Sequence, residues 1–511
     1  MSLSLPDVVV ESSMLAEGEY KDPASPLMQP IPLPKHCRVR GSIRPAPSSD
    51  IKFEVWLPVE RWNGKLQGSD NGGFGGTINY VGLALSVNRG YAGVSTDTGH
   101  AGSSPEDAAW AKNNPEKVVD FAHRAVHLMT VNAKKIIAAF YGEGPKRSYF
   151  AGCSNGGRQG LMSAQRYPED YDGIIAGAPA HDWTRLMIGF AWNAKALAMP
   201  ESYIPATLTP VIQEAVNKQC DARDGVVDGV VAEPLSCSFD PEVLLCSADK
   251  TEGCLQRPQV EALRAIYRGP HTSAGVRLYP GFPLGAELGN PAPGMGWDGW
   301  IFGNGPGDSG HARFAKNLMR YLVTGNERWD VSQFHVDRDA PVIDERLANL
   351  MNATDPDLSR FAARGGKLIL YHGMADPAIP YETAIEYFDS VGKQMGEAER
   401  DRFMRLFLVP GMQHCFGGPG PSRFGGLHAA EQPLDPENDL SAALELWVEQ
   451  GIAPSTVRAV RPKSFIASLL DMKQAGVERS GLLCAYPKHA KWSGKGDPND
   501  AANYTCAAQG D

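Results

Sequence analysis

Hydrophobic and polar positions alternate with period two from Cys37 onward. Ile51, Phe53, Val55 and Leu57 fall on one face of a strand, and Lys52, Glu54 and Trp56 on the other. Residues 38–43 supply its hairpin partner. Upstream, residues 1–36 are rich in proline and serine with one apolar run at Val8, Val9 and Val10, which predicts an extended segment laid over a core. A glycine-rich loop, residues 70–76, comes next, followed by a short helix and a strand at 92–95. After Pro115, Val118, Phe121, Ala122, Ala125, Val126, Met129 and Ala133 recur at helical spacing as far as Phe140. A strand at 148–151, a helix at 158–166 and a strand at 173–176 continue the series. Strands alternating with helices at this spacing predict an α/β fold with a mostly parallel sheet covered on both faces.

The rhythm breaks after Pro179. Residues 182–358 are loop-rich and hold two close cysteine pairs and the aromatic group Trp297, Trp300 and Phe302. Alternation resumes at Gly366 with a strand at 367–372, a helix at 381–395, a strand at 405–409 and a helix at 440–450. Residues 1–181 and 359–511 therefore read as one core, and 182–358 as a large insertion into it, a lid.

Within the core, Gly152-Cys153-Ser154-Asn155-Gly156 fits G-x-S-x-G between an apolar strand and a helix. That context marks the nucleophile elbow of an α/β-hydrolase core. A serine on a tight strand-to-helix turn projects its hydroxyl above the sheet, and flanking glycines let neighbouring backbone approach. The hydroxyl needs a base, and the base needs an orienting acid, in the chain order Ser, Asp, His. Asp376 follows the 367–372 strand and His414 follows the 405–409 strand, both at carboxyl ends of strands. His372 ends its strand directly and reads as a packing or turn residue, while His100 and Asp97 precede the serine and break the order. The oxyanion hole is expected from the N–H of Asn155 plus one from Gly73 or Phe74.

Overall composition changes this picture little: 42% apolar and 21% charged residues are ordinary for a soluble globular chain. The net charge is −10 and no basic stretch tracks a phosphate backbone, so nucleic acid is not an expected partner. No apolar run is long enough to span a bilayer, so no membrane partner is expected either. Nine cysteines change it more. Cys220 and Cys237, Cys246 and Cys254, and Cys484 and Cys506 bracket short loops without any C-x-x-C spacing, which predicts disulfides and an oxidising compartment. Residues 1–13 have neither the basic start nor the apolar core of a signal peptide, so a secreted or periplasmic protein whose leader has been removed is expected. Asn352 and Asn503 open glycosylation sequons that matter only in a eukaryotic secretory pathway.

Cys153 adjoins Ser154 and Cys415 adjoins His414. If the serine and histidine meet, their neighbours lie within disulfide reach, and the bond would hold base against nucleophile. Cys153-Ser154, Asp376 and His414-Cys415, together with Asn71-Gly72-Gly73-Phe74, Gly152 to Arg158 and Pro410 to Cys415, resemble the CS-D-HC pattern of the tannase and feruloyl esterase family. The resemblance runs from about Cys37 to Cys506. It implies a secreted ester hydrolase with a lid over the site, acting on small aromatic esters: hydroxycinnamoyl, galloyl or mono(2-hydroxyethyl) terephthalate. The family usually pairs a cysteine near the N-terminus with the position of Cys37; here no earlier cysteine exists, and Cys37 is left over.

Three carboxylates in the Gly-rich stretch 221–230 suit either a hard cation or a solvated acidic turn. The family resemblance implies a structural Ca2+ in such a lid loop, with Asp221, Asp224 and Asp228 as carboxylate ligands and Val226 and Val230 giving carbonyls. Catalysis itself needs no cofactor. Trp297, Trp300 and Phe302, with Phe314 nearby, are assigned to the acyl pocket, with lid core as the alternative. No lid arginine stands in an obvious clamp position for a terephthalate carboxylate, although Arg313 and Arg320 lie close. Two other readings share these residues: acyl transfer to a sugar or alcohol, and a non-catalytic calcium-dependent binding protein.

Overall fold

Among the described residues, nine strands make one sheet in the order β1-β2-β3-β5-β4-β6-β7-β8-β9. They are β1 (Val8–Tyr20), β2 (Ile31–Ile43), β3 (Ile51–Pro58), β4 (Lys65–Ser69), β5 (Ala92–Thr96), β6 (Arg147–Cys153), β7 (Gly173–Gly177), β8 (Lys367–Gly373) and β9 (Met404–Val409). The structure is a computed structural model, and it describes residues 5–21, 30–249, 251–289, 294–425, 435–464 and 475–508. Strands β1, β2, β3 and β5 pair antiparallel. From β5 through β9 all pairing is parallel. The central parallel strands are apolar on both sides, as a doubly covered sheet requires. Leu368, Leu370 and Ile174 pack with Met129, Leu161 and Phe388 from helices on one face. Ile369, Ile175 and Tyr371 meet Leu440, Leu444 and Trp447 of helix Leu440–Gln450 on the other.

Three expectations change. Residues 8–20 do not lie over the core: they pair with β2 as the edge strand, with Val9 and Met14 facing outward. On the polar face predicted for β3, Glu54 and Trp56 are buried and Lys52 is half-exposed. Glu54 is covered by the helix Tyr80–Asn88 and held by Arg38 at 2.6 Å, Arg40 at 3.1 Å and the Trp56 indole at 2.8 Å. A buried carboxylate needs that many donors. Strand β4 was missed because it carries a single large apolar residue, Leu66. It is nevertheless central, and at Gly68 a Cβ would meet the Tyr171 hydroxyl at 2.6 Å, which leaves no room for a side chain.

Between β7 and β8 the chain builds helices Trp183–Ala196, Thr209–Cys220, Arg257–Arg268, Gly310–Asn317 and Val336–Met351. Among the described residues this segment adds no strand to the sheet. Its apolar side chains join Phe74, Trp110, Phe121 and Ile379 in one cluster, which lays the segment over the carboxyl end of the sheet. Disulfides Cys220–Cys237 and Cys246–Cys254 tie it internally. Beyond the sheet, β10 (Thr456–Pro462) pairs with β11 (Val477–Cys484), and β12 (His489–Trp492) with β13 (Tyr504–Ala507). Cys484–Cys506 staples the two hairpins. Cys37 on β2 is a half-buried free thiol, pushed up from its usual pKa by burial.

Candidate active site

Strand β6 ends at Cys153 and the helix Asn155–Arg166 begins immediately, three residues earlier than its spacing predicted. Ser154 is the single residue between them. Its backbone sits at φ 63° and ψ −124°, in the left-handed half of the map where a side chain is strained. The strain is held by neighbours: Ser154 N donates to Gly177 O at 2.9 Å, and its carbonyl accepts from Arg158 N at 3.1 Å and Ala180 N at 3.0 Å. The flanking glycines are required by space. A Cβ at Gly156 would lie 2.0 Å from Asp70 Oδ2, and one at Gly157 2.4 Å from Gly177 O. Asp70, not anticipated from the sequence, sits beneath the turn and accepts from Cys153 N at 2.8 Å and from Asn79 Nδ2 at 3.0 Å. Burial pushes its carboxyl up to about 6, against those two donors.

Asp376 and His414 meet as expected. The His414 Nδ1 to Asp376 Oδ2 distance is 2.9 Å. The other carboxylate oxygen accepts from the N–H groups of Ala378 at 2.8 Å and Ile379 at 2.9 Å. Burial works to raise the Asp376 pKa, but the charge of His414 and the bonds from His372 and His414 outweigh it and hold the acid below its ordinary range. A carboxylate fixed this way selects the tautomer with the proton on His414 Nδ1, which leaves Nε2 free as a base. His372 packs as predicted, its ring nitrogen 2.9 Å from the Ile379 carbonyl, and it also lies 3.4 Å from Asp376. The disulfide Cys153–Cys415 forms, with the two Cα atoms 5.9 Å apart.

Ser154, Asn155, Gly73 and His414 all line one cavity of about 510 Å³. The Phe74 N–H donates to Pro105 O at 2.7 Å, so it is already used. Gly73 and the first-turn N–H of Asn155 are the donors this geometry leaves for a developing oxyanion. His100, a rival base by type, stacks on Trp110 and bonds the Phe74 carbonyl at 2.8 Å, and so supports the loop from behind.

The walls are mostly apolar and differ from the expected set. Trp300 lines the cavity and its ring stands edge-to-face with His414 at 5.2 Å; Phe314 lines it too. Trp297 and Phe302 do not. They turn into the core, where Trp297 packs on Tyr267 and Phe302, because the short π-helical turn Asp298–Phe302 separates their directions from that of Trp300. Trp183, Leu186, Met187 and Phe190 complete the apolar wall and were missed, since their helix is buried all round and shows no distinct face. Among the described residues, Asp70 and Glu106 are the acids in the wall, and no lysine or arginine lines it. Arg313 is tied to Glu106 at 3.2 Å and Asp308 at 3.3 Å, and Arg320 to the Trp329 carbonyl at 2.8 Å.

In the acidic loop, Asp221, Asp224 and Asp228 each accept backbone N–H groups, at 3.0 Å for Gly229, Val226 and Val230 respectively. Arg479 pairs with Asp228 at 2.6 Å. Among the described residues no three acidic, cysteine or histidine side chains converge on a point. The loop is nonetheless crowded with negative charge: burial, then Asp228 and Asp221, push the Asp224 carboxyl up to about 6. A hard cation would relieve that.

Comparison with known proteins follows the same outline. Residues 37–507 match the sequence model of a family described as tannase and feruloyl esterase. An uncharacterized esterase of Xanthomonas campestris pv. campestris is 40% identical over 99% of this chain and 90% of its own length. A probable feruloyl esterase B-1 of Aspergillus flavus is 34% identical over 92% of this chain and 86% of its own. The crystal structure of feruloyl esterase B from Aspergillus oryzae superposes with a TM-score of 0.87 at 31% identity, covering 99% of this chain and 98% of that one. Tannin acyl hydrolase from Aspergillus niger superposes at 0.76 with 22% identity over 99% and 93%, a likeness of fold.

Proposed function

The chain belongs to the tannase and feruloyl esterase family and is a carboxylic ester hydrolase, and on that premise we propose that it cleaves neutral aromatic esters through an acyl-enzyme on Ser154. His414 Nε2 takes the Ser154 proton as the oxygen attacks the ester carbonyl, and Asp376 holds the imidazolium that results. Asn155 and Gly73 N–H groups face the developing oxyanion. The proton then passes to the leaving alcohol, and water repeats the sequence to release the acid. What carries this reading is the 2.9 Å Asp376–His414 bond on the same cavity as a strained Ser154.

The cavity supports the substrate class. Trp300, Phe314, Trp183 and Phe190 offer flat apolar area for a ring, and the acids Asp70 and Glu106 disfavour an anionic acyl group. Hydroxycinnamoyl and galloyl esters therefore fit better than mono(2-hydroxyethyl) terephthalate, whose free carboxylate finds no lysine or arginine in the wall among the described residues. Residues 182–358 act as the lid, since they bring Trp183, Leu186, Met187, Phe190, Trp300 and Phe314 to that wall. Four disulfides support an oxidising, secreted or periplasmic setting, and no helix among the described residues is long and apolar enough to cross a membrane. Asp221, Asp224 and Asp228 with the Val226 and Val230 carbonyls would hold Ca2+, which would offset the crowded negative charge of the loop without entering the chemistry.

The test is initial hydrolysis of methyl ferulate, methyl gallate, mono(2-hydroxyethyl) terephthalate and 4-nitrophenyl butyrate by wild type and Ser154→Ala. Preference for a neutral aromatic ester, lost in Ser154→Ala, supports the proposal. Turnover that survives Ser154→Ala refutes it.

A further inference from the structure

The letters around the elbow and the glycine-rich loop are not all used by the chemistry above. Gln159 does not line the cavity, and neither does Asn71. Both are buried amides. Asn71 stands where β4 has just ended, and Gln159 stands one turn into the helix after Ser154. The Asn71 side-chain amide donates to the carbonyls of Thr77 and Thr96, the latter at 2.6 Å, which binds it to β5. That orientation leaves Oδ1 facing the helix, where it accepts from Gln159 Nε2 at 3.2 Å. The Asn71 backbone carbonyl accepts from Asn155 Nδ2, also at 3.2 Å. Arg158 Nε in turn holds Asn155 Oδ1 at 2.9 Å, and the Arg158 guanidinium is anchored on the carbonyls of Ala122, Phe121 and Met351.

The two oxyanion donors come from separate elements, Gly73 from the loop and Asn155 from the helix. They act together only if loop and helix keep a fixed spacing. Among the described residues Gln159 Oε1 finds no partner, so the Nε2 bond to Asn71 is what ties this side chain to its surroundings. We propose that Asn71 and Gln159 are positioning residues that clamp the glycine-rich loop to the helix after Ser154 and so set the distance between the two oxyanion donors. The inference rests on the esterase reading of this cavity.

Gln159→Leu removes one bond of the clamp at nearly constant volume, and Asn71→Ala removes the clamp's centre. A misplacement of about 1 Å costs on the order of 10²-fold in rate. The expected result is a fall in kcat of about 10- to 100-fold on methyl ferulate, with KM within about twofold. Phenylboronic acid forms a tetrahedral adduct whose oxygen occupies the oxyanion position. Its affinity should fall in step with kcat, while the affinity for ferulic acid stays within about twofold. Equal losses for boronate and acid would overturn the clamp, because general loosening has that signature. So would a wild-type kcat in Gln159→Leu. That variant decides the matter if Asn71→Ala does not fold. Ser154→Ala measured alongside separates the two readings: if it keeps turnover, the esterase mechanism and the clamp fall together.

Discussion

Replacing Cys153 and Cys415 together by alanine opens a loop that spans 262 residues and frees the residues beside Ser154 and His414. In the chain-entropy account a closure of that length is worth roughly 5–6 kcal/mol. Unfolding entropy is about 2.1 cal/mol/K per residue, or on the order of 1 kcal/mol/K for a chain of 511 residues. The melting temperature should therefore fall by about 5 °C. Activity should suffer separately. Asp376 still orients His414, but Cys415 sits at φ 65° and its backbone conformation loses the covalent anchor. We expect kcat on methyl ferulate at 25 °C to fall by about tenfold or more, with KM little changed. The control is the Cys484, Cys506 double alanine variant, which opens 22 residues at a bond that does not line the cavity. It should cost roughly 3–4 kcal/mol, a drop of about 3 °C, and leave kcat unchanged. Calorimetry and steady-state kinetics on both variants suffice. A Cys153, Cys415 variant with wild-type kcat, or a control with the same loss of kcat, would refute the idea that this bond holds base against nucleophile.

Trp300→Ala should raise KM for methyl ferulate by about tenfold at near wild-type stability, whereas Trp297→Ala should cost about 3–5 kcal/mol in stability and leave KM alone, as denaturant titration and kinetics will show. Asp97 is pushed up to about 7, chiefly by burial, against bonds from Gly99 and Lys52 N–H groups to the same oxygen. The folded chain thus holds that proton more tightly than the unfolded chain, so stability is full below the ordinary carboxylate range and is lost as pH rises through about 7. Asp97→Asn keeps both backbone bonds, so it should raise the melting temperature at pH 8 by about 2–4 °C, by less than half as much at pH 5, and not at all near pH 3; equal shifts at pH 8 and pH 3 would contradict this. On the proposal that the acidic loop takes up Ca2+, a chelator should lower the melting temperature by several degrees, an effect absent in Asp224→Ala, without changing kcat of the folded enzyme.

The central sheet was legible because β7 and the middle of β8, Leu368 to Tyr371, are short apolar runs. The elbow was legible because G-x-S-x-G sat between a strand and a helix. The Cys153–Cys415 bond followed from adjacency to Ser154 and His414, which is a statement about distance as much as about sequence. Other parts were hidden for physical reasons. Strand β4 takes its identity from its neighbours β5 and β6, and its own five residues show no alternation. Glu54 looks like a surface residue until Arg38, Arg40 and Tyr80 arrive from other elements. Trp297, Trp300 and Phe302 are close in sequence and alike in chemistry, and only the local π-helical turn decides that Trp300 alone reaches the cavity. The wall built by Trp183 to Phe190 belongs to a helix buried on every side, for which periodicity carries no direction.

The measurement that bears most directly on the mechanism is active-site labelling. The protein is treated with an aryl phosphonate ester, and the adduct is located by peptide mass spectrometry while methyl ferulate hydrolysis is followed in parallel. The account predicts one adduct, on Ser154, formed in step with the loss of activity and about 10³-fold more slowly or more in Asp376→Asn. An adduct on any other residue, or complete labelling of Ser154 with hydrolysis intact, would contradict it.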